Sequence, residues 1–394
     1  MKTRVSLLAV IMLSVIMAVA HAGTLTMPED LTEIEAEAFL GIKNISTVIL
    51  PEGVTDIGNR AFAGSSVTEI NLPESLSDIA PDAFADCAQL TASVLPGTYA
   101  LDYCVEYGVP YRMDCTPAEA FVYTVADGAV TITGYTGAYE KVIMPAEIEG
   151  CPVTAIAKSA FSGNKAIRSV YIPGTVTTIG NGVFQNCTSL TSAALGKGVA
   201  SMGESTFKGC SALESVRLPV TLETIGSYAF YGCAGLSEVV IPEGVTSIET
   251  RAFENCAGLE AVSFPSTLVT VGDYAFQKCS SLKSVAFAEG LESIGIYAFN
   301  NCKAVAEMDL PDSITSIGAY GFGNCTSLTY FDYPMSLSKV PNISNTFTGV
   351  IPGCTNLTEV TLPEGLTTTP AYLFSNCTNI LKVNLPSTLE SIGN

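Results

Sequence analysis

The chain has 394 residues, with 38 acidic against 18 basic side chains and a formal net charge of −20. That balance excludes non-specific nucleic-acid binding, which needs a basic stripe to displace counterions. Only 14% of the residues are charged and 48% are hydrophobic, so the composition is that of a folded protein with a large core, not an acidic disordered tail.

In chain order, the first segment reads as an export signal. Lys2 and Arg4 precede an apolar run over residues 5–20, and Ala20-His21-Ala22 is a small-residue cleavage site, with the cut expected between Ala22 and Gly23. Gly23 at the cut argues against a lipoprotein anchor, and no later apolar stretch reaches the ~18 residues of a membrane span. The protein is therefore expected to be secreted or displayed at a cell surface without inserting into a membrane. Cleavage removes Lys2, Arg4 and the single histidine, leaving 16 basic against 38 acidic residues, a balance of −22.

After the signal, the chain repeats. Phe161, Phe184, Phe207, Phe230, Phe253, Phe276, Phe299 and Phe322 step by 23 residues; Phe347 and Phe374 continue with small insertions, and Phe39, Phe62 and Phe84 follow the same rule earlier. Thirteen repeats in two groups identify a solenoid, in which each unit buries its apolar side against its neighbours. One unit, residues 213–233, reads LESVRLPVTLETIGSYAFYGC. Alternation turns Val216 and Leu218 inward and Ser215 and Arg217 outward, and Pro219 ends the strand because it cannot donate to a ladder. Gly226 supplies a turn, and the residues up to Cys233 are expected to make about one helical turn, with Phe230 and Cys233 on one face.

These units resemble the BspA-type leucine-rich repeat. The resemblance rests on blocks of the form I-P-x-x-V-T-x-I-G-x-x-A-F-x-x-C-x-x-L, such as residues 241–259, where Glu249 takes the place of the glycine. It implies an α/β repeat solenoid, a leucine-rich-repeat right-handed superhelix with a parallel sheet on the concave face. It further implies a secreted or surface-displayed protein whose partner is a protein ligand such as a host or matrix glycoprotein. Nothing in the sequence sets the oligomeric state.

The first array is expected over residues 23–114, the second over 156–394, with a β-hairpin linker unit over 115–155. Residues 97–111, GTYALDYCVEYGVPY, suit a short capping helix ended by Gly108. Residues 121–135, FVYTVADGAVTITGY, read as two strands about Asp127-Gly128. The last residues, STLESIGN, stop within a repeat, compatible with a longer protein or a frayed end.

Cysteine recurs at one place in the repeat, at Cys87, Cys187, Cys210, Cys233, Cys256, Cys279, Cys302, Cys325, Cys354 and Cys377; Ser65 and Asn164 hold the same slot. Zinc sites use local C-x-x-C pairs, which are absent, and stacked side chains point the same way and not at each other. A column of buried small side chains is the reading preferred over metal or disulfide chemistry. Cys104, Cys115 and Cys151 stand outside the column. Cys104 with Cys115 is the candidate disulfide for an oxidising compartment, the alternative being free or buried thiols.

Without histidine in the mature chain, Ser-His-Asp, Cys-His and His-zinc sites are excluded. No phosphate loop is present, and neither cofactor nor metal nor catalytic residue is expected. The outward strand positions run from Ser169 and Tyr171 to Lys382 and Asn384, and most are small. The exception is Glu307, Asp309, Tyr330 and Asp332, with Glu359 on the next rung; Asp309 and Asp332 are expected on adjacent strands, roughly 5 Å apart. The cluster reads as a solvated acidic face, as a protein-binding patch, or as a weak Ca²⁺ or carboxylate site. The carboxylate version makes the protein a carbohydrate-binding or carbohydrate-active wall protein using Glu307, Asp309 and Asp332. Six N-x-S/T sequons, at Asn44, Asn186, Asn324, Asn342, Asn356 and Asn376, matter only in a eukaryotic source.

Overall fold

A computed structural model describes residues 23–28, 30–95, 98–113, 115–336, 349–369 and 371–393. The expected export signal lies outside them. The chain divides into two compact units, residues 1–116 and 117–394.

In the first unit, Thr24–Thr26, Thr47–Ile49, Glu69–Asn71, Thr91–Ser93 and Tyr111–Arg112 form a parallel sheet in sequence order, and Glu33–Ile34, Asp56–Ile57 and Asp78–Ile79 form a second. The rings of Phe39, Phe62 and Phe84 stack at 5.1 and 5.6 Å. A helix, Tyr99–Tyr107, follows; the Thr98 side chain accepts from the Leu101 N–H, and Gly108 ends the helix at φ 66°. The helix sets Tyr103 edge-on to Phe84 at 6.1 Å, and the Tyr103 hydroxyl donates to the Ala80 carbonyl at 3.1 Å. One side chain thus covers the end of the ring stack and satisfies a main-chain acceptor.

The second unit opens with the hairpin Phe121–Ala126 and Ala129–Tyr135, turning at Asp127 (φ 53°) and Gly128 (φ 72°). Two left-handed residues in succession match the right-handed twist of the strands they join. As far as Ile317, each following rung carries two strands. The short ones, from Cys151–Ile156 through Thr178–Ile179 to Ser316–Ile317, pair in one continuous parallel ladder that ends on the hairpin. The leucine-rich-repeat strands are divided into four groups: Lys141–Ile143 to Ser215–Arg217; Glu238–Val240 with Ala261–Ser263; Ser284–Ala286 with Glu307–Asp309; and Tyr330–Asp332, Glu359–Thr361 and Lys382–Asn384.

Between the two strands, the expected helical turn is not helical. Tyr228 (φ 58°) and Gly232 (φ 74°) are left-handed. The N–H groups of Ala229, Tyr231 and Cys233 close tight turns onto the carbonyls of Gly226, Tyr228 and Phe230, each at 3.1 Å. Those of Tyr228, Phe230 and Gly232 donate to Thr250, Ala252 and Glu254 on the next rung, at 3.0, 2.7 and 2.8 Å. A helix would keep all of these donors within its own segment. The left-handed residues instead turn every second donor along the solenoid axis, so the turns form a third inter-rung ladder.

Inside this frame the rings from Phe161 to Phe322 stack at 5.0–5.4 Å. Seven of these eight rings, from Phe184 to Phe322, are wholly buried. Phe347 lies outside the described residues, and the ring position of its rung belongs to Ile351, three residues before Cys354 and fully buried. The hydrogen bonds fix this register. Phe299 N–H donates to Gly321, the residue before Phe322, and Phe322 N–H donates to Val350, the residue before Ile351.

Candidate functional site

The thiol column is the first group with chemistry to account for. Eight of its members in the second unit, Cys187 to Cys354, are buried, and none of them is in a disulfide. Each buried thiol donates across rungs to the carbonyl of the preceding ring residue: Cys210 to Phe184 at 3.1 Å, Cys233 to Phe207 at 3.2 Å, Cys256 to Phe230 at 3.1 Å. Cys377 donates to Ile351 at 3.2 Å, as the register requires. Burial pushes the thiols up, to about 11 at Cys187 and about 12 at Cys256. Protonated, desolvated and already committed as donors, they are unsuited to nucleophilic or metal chemistry. Among the described residues no three acidic, thiol or imidazole side chains converge as a metal site.

The pairing of Cys104 with Cys115 expected from the sequence is not made. The capping helix turns Cys104 into the core of the first unit, where it is 1% exposed, whereas Cys115 is part-exposed in the segment after the last strand.

The acidic cluster lies where outward strand positions place it. Glu307 and Asp309 are exposed on either side of half-buried Met308, and Tyr330 and Asp332 on either side of buried Phe331. Their strands, however, belong to different sheets. Glu307–Asp309 pairs back onto Ser284–Ala286, and Tyr330–Asp332 pairs forward onto Glu359–Thr361. Asp309 and Asp332 thus stand on strands of consecutive rungs that do not share a ladder. The rungs are joined instead beyond the strands, where Met335 N–H donates to the Asp312 carboxylate at 2.9 Å.

Glu359 is engaged. Its carboxylate accepts from Lys382 Nζ at 2.7 Å and Asn384 Nδ2 at 2.9 Å, and these contacts hold it below the ordinary carboxylate range. Tyr330 is exposed, with its hydroxyl 3.4 Å from Thr361 Oγ1. An open cavity of about 480 Å³ does bring Asp309 and Asp332 to one wall with Asp312, Thr361, Glu364 and Asn384; Glu307, Tyr330 and Glu359 do not line it. Along the rest of the outward column, Tyr171 departs from expectation, since it is only 6% exposed.

Sequence reading missed a second surface, on the left-handed turns. Two residues before each ring, the outward position holds Tyr228, Arg251, Tyr274, Tyr297 and Tyr320 on successive rungs, all at φ 57–61°. Tyr274 stacks on Tyr297 at 5.2 Å and Tyr297 on Tyr320 at 4.9 Å. Arg251 Cζ lies 4.2 Å from the Tyr274 ring centre and 5.9 Å from that of Tyr228, while Lys208 Nζ stands 4.8 Å from Tyr228. The signal was in the sequence as the recurrent Y-A-F of residues 228–230, 274–276 and 297–299.

No described helix is long and apolar enough to cross a membrane. The model of the BspA-type leucine-rich repeat region matches residues 20–105, 154–283, 248–351 and 269–394. The crystal structure of a leucine-rich repeat protein from Bacteroides ovatus is similar, with 25% identity over 93% of this chain and 88% of that one and a TM-score of 0.55. A leucine-rich cell surface protein from Faecalibacterium prausnitzii shares 25% identity over 71% of this chain and 94% of that one, with a TM-score of 0.39. No curated protein matches the chain. The family match covers most of the chain, in both units, and the chain belongs to the BspA-type leucine-rich repeat family.

Proposed function

We propose that this is an exported leucine-rich repeat protein, secreted or held at a cell surface, that binds another protein through the outward strand positions, with adhesion to a host or matrix glycoprotein as its role. It is not an enzyme in this reading. The observation that carries the reading is the exposed set Glu307, Asp309, Tyr330 and Asp332, mounted on strands whose intervening residues are turned inward onto the core. An aromatic hydroxyl flanked by carboxylates on a rigid scaffold suits a protein surface bearing cations and hydrogen-bond donors. Retention of matrix and host-surface proteins by the immobilised mature chain tests it. Binding should weaken with added salt and in the Asp309→Asn/Asp332→Asn variant. No retention at micromolar concentration removes the adhesin reading.

A second reading is favoured by the cavity that Asp309 and Asp332 share with Asn384 and Thr361: a carbohydrate-binding or carbohydrate-active wall protein. Hydrolysis of a glycan, abolished by Asp309→Asn, supports it. Inertness toward every glycan removes it.

A further inference from the structure

The left-handed turns carry two outward columns with the same backbone conformation and different residues. Four residues after each tyrosine position, the second column is Gly232, Asn255, Asn301, Asn324 and Asn376, with Lys278 the exception, and glycine or asparagine adopts positive φ at little cost. The first column places Tyr228, Tyr274, Tyr297, Tyr320 and Tyr372 at φ 57–59°, where a bulky side chain is disfavoured. Ser159, Ser205 and Arg251 share that conformation on other rungs, so the turn sets the backbone and the tyrosines are its bulkiest occupants.

Arg251 shows what fits between two of these rings. Tyr228 and Tyr274 are two rungs apart, and the guanidinium of the intervening residue is held between them, paired with the Glu254 carboxylate at 2.5 Å. The same two-rung interval recurs further along. Gly349 follows Tyr320 in the column, at φ +58°, and its N–H donates to Ala371, the residue before Tyr372. Two rungs of a parallel ladder span about 10 Å, enough for one flat group in contact with a ring on either side. Among the described residues, a β-carbon at Gly349 would meet nothing closer than 3.8 Å, its nearest neighbours being Tyr372 Cβ and the Tyr372 carbonyl. Tyr320 is 40% and Tyr372 65% exposed.

We infer that Tyr320, Gly349 and Tyr372 form a clamp for the guanidinium of an arginine side chain presented by a protein partner. The rings supply cation–π contact on two sides, and the glycine leaves the interval to the incoming side chain. The residue three after Gly349 is Pro352, where Arg251 has Glu254. The attraction on the cation comes from the field of a chain of net charge −20. A sugar ring or a neutral aromatic group gains nothing from that field. The clamp shares with the proposed function only the premise that the ligand is a protein, and it does not use the strand face.

The test is an NMR titration of the mature chain, carrying ¹³C-labelled tyrosine, with a blocked Gly-Arg-Gly peptide. The peptide in which citrulline replaces arginine is the neutral isostere, and a short neutral oligosaccharide is the third probe. The arginine peptide is expected to shift the Tyr320 and Tyr372 resonances, assigned by single Tyr→Phe variants, with citrulline at least about five-fold weaker. Gly349→Arg should fill the clamp from within and abolish the shifts. Tyr372→Leu should abolish those of Tyr320, and it serves also if the arginine variant fails to fold. Asp309→Asn should leave them unchanged, which separates the clamp from the strand face. Equal response to citrulline, shifts produced by the oligosaccharide alone, or arginine shifts that survive Tyr372→Leu would each overturn the assignment.

Discussion

Cys256 Sγ donates to the carbonyl oxygen of Phe230, 3.1 Å away on the preceding rung, and the same carbonyl accepts the N–H of Cys233 at 3.1 Å. A buried carbonyl with two lone pairs is thereby fully used, one bond within its own rung and one from the next. The repeated cysteine is more than a small apolar filler: it is a small side chain that is also a weak donor.

This relationship sets the cost of removing it. Cys256→Ala should destabilise by about 1 kcal/mol, since the carbonyl keeps its backbone partner and a sulfur's worth of packing and a weak bond are lost. Phe253→Ala should cost about 3–5 kcal/mol, because it opens a cavity between two rings stacked at 5.0 Å on either side. Chemical denaturation of both variants gives the comparison. Equal losses would mean that the ring stack is not the main packing element.

The thiols also set a pH limit. They titrate at about 8.5 when unfolded, and burial pushes them to about 11 at Cys187 and about 12 at Cys256 and Cys354. Between those values the unfolded chain has released protons that the folded chain retains, so stability falls as pH rises. The loss should begin near pH 9 and grow by roughly 1.4 kcal/mol per buried thiol per pH unit. Eight such thiols in the second unit make the alkaline transition steep. Thermal unfolding at pH 7, 9 and 10 measures it, and a Tm unchanged to pH 10 contradicts the burial.

In native protein the buried thiols Cys187 to Cys354 should resist thiol reagents and become reactive only on denaturation. Mass spectrometry of non-reduced peptides should find Cys233, Cys256 and Cys279 unpaired. The same spectra should show no Cys104–Cys115 peptide, because Cys104 faces the core. A Cys233–Cys256 link would show the array to be stapled and the thiol hydrogen bonds to be misassigned.

How much of this was legible follows from what repeats. The 23-residue period, the inward strand positions and the thiol slot are visible because burial selects residue type at each turn. The turn geometry was not read, because a spacing of three from Phe230 to Cys233 suits a helical turn and linked tight turns equally. The discriminating residues were Gly232, Asn255 and Asn301, which mark positive φ. The same habit explains three sequons, since Asn186, Asn324 and Asn376 each occupy that left-handed position directly before a column cysteine. Phe347 misled because the eye follows the ring, whereas the distance to Cys354 selects Ile351. Glu307, Asp309, Tyr330 and Asp332 were placed on the correct face, but strand spacing alone does not reveal that their sheet divides between them.

The tyrosine column permits a test of strain against stacking at Tyr297, which sits at φ 57° between Tyr274 and Tyr320. A non-glycine residue in this conformation costs about 1–2 kcal/mol, and each ring pair returns about 0.5–1.5 kcal/mol. Tyr297→Gly removes the strain together with both pairs, so its stability should stay within about 1 kcal/mol of the parent. Tyr297→Val loses both pairs and keeps the strain, made worse by its branched β-carbon, so it should be destabilised by about 2 kcal/mol or more. Equilibrium denaturation of the two variants separates the contributions, because they differ in backbone freedom and share the loss of the ring. A glycine variant more stable than the parent by 2 kcal/mol would show that the stacked rings contribute nothing to the fold. Equal stability of the glycine and valine variants would show that the position carries no backbone strain.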